Sequence, residues 1–207
     1  SRGCNAWHPD HTPQRGVSAD DLAELVPVGQ LVPTEFKTFD GRKLVLIDPI
    51  DPPRGLRKPE HVLLTVFWHY RSTPEVRARR VWASSRTVKA LANRGVNVTD
   101  PVREGDALPG GVRAFETARR GELVYWLPEQ RAVAVGDVLL GAGAQPRPSD
   151  DPLRLCPERW LGQATHADLR RSLQPLLGLP VQRVLVSHGE PVLRAGKRAL
   201  EHVLHAS

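Results

Sequence analysis

Two short stretches hold residues whose types could do chemistry. The first is Trp7-His8-Pro9-Asp10-His11. Two histidines three apart with a carboxylate between them offer nitrogen and oxygen donors of the kind that hold zinc. Pro9 and Pro13 exclude a regular helix that would set both imidazoles on one face. The alternative is a surface segment with Trp7 tucked against the core. The second stretch is residues 61–75, HVLLTVFWHYRSTPE. It opens as an apolar strand, Val62-Leu63-Leu64-Thr65-Val66, and breaks into a polar, aromatic turn, Phe67-Trp68-His69-Tyr70-Arg71. A helix-start signal follows, Ser72-Thr73-Pro74-Glu75, in which Ser and Glu form a capping box and Pro suits a first helical turn. A buried strand that ends in a polar turn before a helix is where α/β proteins place their ligands. Aromatic residues make up only 5% of the chain, so Trp68 and Tyr70 at one strand end favour a pocket over ordinary core. His69 lies between them, and Arg71 beside them is a further substrate-binding candidate.

The elements that must position these groups can be read on either side. Ser18-Ala19-Asp20-Asp21 is a second capping box, opening a short helix that Pro27 ends. Apolar runs at 30–38 and 43–47 flank Phe39-Asp40-Gly41, and Asp-Gly between such runs predicts a hairpin. Val45-Leu46-Ile47-Asp48-Pro49 reads as a buried strand ending in a carboxylate, followed by a Pro-rich loop over 51–59. Val81-Trp82-Ala83-Ser84 is the next strand, and residues 85–93 a helix closed by Arg94-Gly95. Strand, helix, strand, helix implies crossovers and a partly parallel sheet. From 102 to 140 the period becomes two. Strands at 111–117, 122–127 and 131–135 predict an antiparallel meander that ends at Gly136-Asp137. Residues 141–157 read as a loop. Thr165-His166-Ala167-Asp168 starts an amphipathic helix over 169–177, which Pro175 kinks or stops early. The last strand, 181–186, runs into Ser187-His188-Gly189-Glu190-Pro191, and the final helix covers 195–205.

On these residues the chain resembles the metallo-β-lactamase-fold hydrolases. Leu63-Leu64-Thr65 is similar to the opening of the family's Leu-Leu-Thr-His-x-His-x-Asp-His signature, and Leu46-Ile47-Asp48-Pro49 to its early strand. Tyr125-Trp126-Leu127, the turn at Pro128-Glu129 and the strand leading to Gly136-Asp137 are similar to the second half, where the Asp bridges two metal ions. Ser187-His188-Gly189-Glu190-Pro191 looks like the closing Gly-His-Gly, whose His is a ligand. The resemblance covers roughly residues 28–205. It implies an α/β fold, a four-layer αβ/βα sandwich of two facing mixed sheets with outer helices, as one domain over 1–207 with an irregular segment at 1–17. The four ligand positions after Thr65 hold Val66, Trp68, Tyr70 and Arg71, with His69 in a spacer position. Where the family has Thr-Pro-Gly-His, this chain has Thr117-Ala118-Arg119-Arg120-Gly121, with arginine for the ligand.

The family's hydrolysis uses metal as a Lewis acid and a source of hydroxide, and a zinc site needs three or four protein ligands. Only Asp137 and His188 remain at ligand positions. The resemblance therefore implies a domain that has lost its dinuclear site, holds no cofactor and serves a binding, regulatory or structural role. Asp137 and His188 would then pair with each other or with Arg119 or Arg120. One alternative is a single zinc or iron ion held by His69, Asp137 and His188, with Asp48 as a further donor. The other is a hydrolase-like enzyme in the same cleft. There Asp137 and His188 act as an acid–base pair beside His69, Arg119 or Arg120 holds an anionic substrate, and Trp68, Tyr70 and Trp126 line the pocket.

Composition narrows the classes. A chain of 207 residues, 40% hydrophobic and 25% charged, has the make-up of a soluble globular domain with a full core. No run approaches the roughly 18 apolar residues of a membrane helix, and no signal-peptide pattern opens the sequence, so a cytoplasmic location is expected. The chain has no Met, so residue 1 is not expected to be a translational start. Cys4 and Cys156 are far apart and read as free thiols of a reducing compartment rather than a disulfide. Nothing in the sequence sets an oligomeric state. The formal net charge is +6, and 24 of the 29 basic residues are Arg, Lys standing only at 37, 43, 58, 89 and 197. A basic balance suits nucleic acid when it is clustered and interleaved with aromatics. Here only Arg77-Ala78-Arg79-Arg80 and Arg119-Arg120 cluster, so the expected partner is a small molecule rather than nucleic acid or membrane.

Overall fold

The computed structural model describes residues 34–38, 41–50, 58–144 and 148–205. The segment from Trp7 through His8 and Asp10 to His11, the capping box at Ser18, most of the 51–59 loop and Cys4 lie outside the described residues.

The first sheet holds β1 (Thr34–Thr38), β2 (Gly41–Ile47), β3 (His61–Leu63), β4 (Arg80–Ser84) and β5 (Asp100–Val102), in that spatial order. β1 and β2 pair antiparallel with Thr38 opposite Gly41, the pairing that the Asp-Gly signal predicts. The remaining pairs are parallel and need crossovers. One passes through the 3-10 turn Phe67–Tyr70 and a single helical turn, α1 (Thr73–Val76). The next passes through α2 (Val88–Ala92). The capping box expected at Ser72 does not form: Ser72 sits at φ −95°, ψ 6° rather than in the extended cap geometry, and its side chain makes no cap bond.

The second sheet begins with the predicted meander, β6 (Arg113–Glu116), β7 (Leu123–Leu127) and β8 (Ala132–Val135), all antiparallel. The 141–157 segment is not simply a loop. β9 (Leu139–Gly141) and β10 (Leu153–Leu155) pair antiparallel across it, because Leu153 and Leu155 supply an apolar strand that the surrounding Gly, Pro and Asp concealed. Then α3 (His166–Leu173) opens on a capping box. The Asp168 amide donates to Thr165 Oγ1 (3.2 Å) and the Thr165 amide to Asp168 Oδ2 (3.0 Å). It passes into a 3-10 turn at Gln174, before the proline that has no amide to donate. β11 (Arg183–Val186) pairs parallel with β8 and completes the order β11-β8-β7-β6, and α4 (Gly196–His205) ends the described chain.

Strand alternation sorts the side chains into layers. Val45 and Leu63 of the first sheet meet Leu123, Tyr125, Leu127, Ala134 and Leu185 of the second. Val124, Trp126, Val133 and Val135 point the other way, onto Leu169 and Leu173 of α3 and Leu200 and Val203 of α4. On the outer face of the first sheet, Leu46, Val62, Leu64 and Val81 pack with Val76 and Leu91. The result is the sandwich of two facing mixed sheets with outer helices that the resemblance implies. No helix among the described residues is long and apolar enough to cross a membrane.

Candidate functional site

Four strand ends converge on one polar cluster. β2 and β3, parallel neighbours in the first sheet, deliver Asp48, Thr65 and His69 just past their carboxyl ends. β8 and β11, parallel neighbours in the second, deliver Asp137 and His188 in the same way.

Asp48 is fully buried. Its backbone is left-handed, φ 44°, a conformation Asp tolerates better than most residues. Its amide donates to the Leu63 carbonyl (3.0 Å). Its carboxylate accepts from the Thr65 amide (2.8 Å) and from the Thr65 hydroxyl. His69, only 2% exposed, sets Nδ1 2.9 Å from Asp48 Oδ2 and Nε2 3.2 Å from Asp137 Oδ1. The ring is thus fixed from both ends.

Asp137 is met by more partners. Trp68 Nε1 donates to Oδ2 (2.7 Å), and His188 Nε2 lies 3.3 Å from Oδ1. The Ser187 hydroxyl faces both Asp137 Oδ1 (3.0 Å) and the Gly136 carbonyl (2.6 Å). Arg119 Nη1 stands 3.7 Å from Asp137 Oδ2 and 3.4 Å from Glu122 Oε2, with its guanidinium 4.3 Å from the centroid of the Trp68 ring. Glu122 is itself buried and accepts from the Val138 amide (3.0 Å). Gly136 makes this closeness achievable, since a Cβ there would sit 2.7 Å from Glu122 Oε1 and 2.8 Å from Thr65 Oγ1. His188 is carried by a loop whose backbone is tied to the β9 edge, with the Gly141 amide donating to its carbonyl (2.9 Å).

The electrostatics follow from this geometry. Burial works against charge on His69, but the carboxylates of Asp48 and Asp137 outweigh it and raise its pKa to about 10. Ionised carboxylates only accept, so an imidazole with both nitrogens on carboxylates carries both protons. Burial alone would raise Asp137. The charge on His69 and hydrogen bonds from His188 and His69 hold it well below its usual range instead. Burial, then the charge on Asp137, push Glu122 up to about 7, and Arg119 offsets only part of this.

His69, Asp137 and His188 come together with one candidate ligand atom each, all within 4.8 Å of one another. Asp48 joins through His69, and Arg119 joins directly. Trp68 joins by its N–H, as a donor to Asp137 rather than as an apolar pocket wall. Tyr70 does not line the cleft. A 3-10 turn eclipses residues three apart, so Tyr70 follows Phe67 onto the outer face of the first sheet, and both rings lie under Arg94. Trp126 is likewise displaced: it alternates with Tyr125 and packs between the second sheet and the helices. Arg71 and Arg120 are exposed, and neither bonds to the Asp137 cluster among the described residues. Sequence reasoning missed Thr65, Glu122 and Ser187. Glu122 carried a legible signal, an acid opening the fully buried strand β7.

No family model matches the chain, and no curated protein matches it. Solved structures do. The protein TTHA1623, in a di-iron-bound form, is 24% identical, with 84% of this chain and 97% of that one covered at a TM-score of 0.50. A metallo-β-lactamase from Pontibacter korlensis is 14% identical, with 84% and 86% covered at a TM-score of 0.55. This chain has the metallo-β-lactamase fold. The flavodiiron core of Flv1 from Synechocystis sp. PCC6803, a metal-soaked structure, is similar at 18% identity and a TM-score of 0.56, with 78% of this chain covered. This chain spans about half of that protein (49%). At these identities the likeness concerns the metallo-β-lactamase fold, and the chemistry must be argued from this chain's own residues.

Proposed function

We propose that this chain is a metallo-β-lactamase-fold domain in which protein cations have replaced a pair of metal ions, and that it serves as a binding or regulatory module for a small molecule rather than as a metal-dependent hydrolase. One observation carries the reading: the Asp137 carboxylate has protein partners on both oxygens. Trp68, Ser187, His69 and His188 lie within 3.3 Å, and the Arg119 guanidinium stands behind them at 3.7 Å. A buried carboxylate so engaged is satisfied without an ion.

The donor chemistry of a two-ion centre does not fit these residues. Of the positions that resemble its ligands, Val66 is buried core, Tyr70 faces the outer layer, and Trp68 and Arg119 bring donors rather than acceptors to Asp137. The imidazolium of His69 and the guanidinium of Arg119 instead supply two positive charges to Asp48 and Asp137.

Metal analysis of the purified protein tests the reading. Zinc and iron well below one per chain, with a melting temperature that a chelator leaves unchanged, are the expected results. Near-stoichiometric zinc or iron would overturn it. A second reading rests on His188, whose side chain is 39% exposed while its Nε2 faces Asp137. That is the arrangement of an acid–base dyad open to a substrate. Hydrolysis of chromogenic esters that disappears in His188→Asn and Asp137→Asn would favour it, and activity that survives both changes would remove it.

A further inference from the structure

We propose that His69, Asp137 and His188 form a latent single-metal site that Arg119 keeps closed by its charge. The inference rests on the reading above, in which the native protein carries no ion. His69 stands where the resembling signature has a spacer, so this donor set belongs to this chain. Two imidazole nitrogens and a carboxylate oxygen within 4.8 Å of one another are a donor set that suits zinc or ferrous iron. His69 Nε2 and His188 Nε2 both face the same oxygen, Asp137 Oδ1. Asp48 holds His69 by its other nitrogen, as carboxylates behind metal-binding histidines do.

Arg119 acts on the opposite carboxylate oxygen. Its Nη1 is 3.7 Å from Asp137 Oδ2, and Glu122 and the Trp68 ring hold it there. It therefore bonds to none of the three donor atoms, which face one another with Ser187 on Asp137 Oδ1, and opposes a cation by like charge, an effect that low dielectric strengthens. Its side chain is 16% exposed, so a change at this one position need not disturb the buried core.

The test is zinc binding by the full chain, read as zinc per chain after gel filtration and as a shift in melting temperature. Arg119→Ala should retain close to one zinc per chain and melt higher with zinc than without it. The unaltered protein, Arg119→Lys, which keeps the charge, and Arg120→Ala, at the exposed neighbour, should retain little. Adding Asp137→Asn to Arg119→Ala should abolish the gain. If Arg119→Ala fails to fold, Arg119→Gln keeps a donor to Glu122 without the charge and takes its place. Neutral variants that fold and load no more zinc than the unaltered protein would overturn the latent site while leaving the metal-free reading intact. Stoichiometric zinc in the unaltered protein would overturn both.

Discussion

The cluster has two halves, and they are built differently. Around Asp48, in the first sheet, the partners are a backbone amide, the hydroxyl of the same residue and one imidazole. Around Asp137, in the second sheet, they are an indole, a hydroxyl, two imidazoles and a guanidinium carried by three separate segments. The inner half is fixed by the strand ends themselves and is closed to water. The outer half depends on side chains that substitution can exchange one at a time. The pairing around Asp48 can thus stay fixed while the side chains around Asp137 are exchanged. His69 belongs to both halves and couples them.

The largest effect comes from the inner half. Asp48→Ala leaves the His69 charge with one carboxylate and the Thr65 amide with no side-chain acceptor. Breaking a buried pair by removing one partner costs about 3–5 kcal/mol. Urea unfolding should show a loss of that order, and a loss below about 1 kcal/mol would mean the two halves are equally replaceable.

The next effect is a pH dependence. The folded state raises His69 from 6.5 to about 10, so it binds a proton the unfolded chain releases. The stability this supplies is complete below pH 6.5 and is lost as pH rises toward about 10. Glu122, raised from 4.5 to about 7, acts with the same sign at lower pH. Melting curves taken between about pH 8 and 9 isolate the His69 contribution, because above pH 9 the Cys156 thiol, which burial pushes from 9.0 up to about 12, acts with the same sign. The melting temperature should fall steadily there, and in His69→Gln it should start lower and fall less. Parallel curves for the two proteins would remove His69 as the coupling charge.

Gly136→Ala probes the seam between the halves. The added carbon would meet Glu122 Oε1 and Thr65 Oγ1 at less than van der Waals distance, and Glu122 is held by Arg119 and the Val138 amide. Overpacking of this kind costs about 1–3 kcal/mol. The Trp68 fluorescence should also change, because Glu122 cannot move without releasing Arg119 from the indole face. An unchanged emission with unchanged stability would mean that the two halves are not in contact through Gly136.

The fold was more legible than the site. Hairpin, crossovers and meander followed from Asp-Gly, from alternating apolar runs and from the Thr165 cap, all of which are local signals. The β9-β10 ribbon was not, because it depends on pairing across a polar segment that no local pattern reports. Asp137 and His188 were legible through their place after strand ends; of the expected partners, each other or Arg119 or Arg120, the structure sets His188 3.3 Å and Arg119 3.7 Å from Asp137. Trp126 and Tyr70 lie away from the cleft because proximity along the chain does not give a shared direction. Strand alternation separates Trp126 from the cleft, and a three-residue turn sends Tyr70 to the same side as Phe67. Ser72 shows the same limit: its capping pattern is intact, but the adopted backbone angles do not form the cap.

The smallest effect should come from the outer half. Trp68→Phe removes the indole donor at 2.7 Å from Asp137 Oδ2 and keeps an aromatic face for the Arg119 guanidinium. Because Asp137 Oδ1 keeps His69, His188 and Ser187, the carboxylate stays paired, and the loss is that of one hydrogen bond, about 1 kcal/mol. Arg119 can then move closer to the vacated oxygen. A loss approaching that of Asp48→Ala would mean that Trp68 holds the outer half as rigidly as the strand ends hold the inner one, and that exchange of side chains around Asp137 is not tolerated.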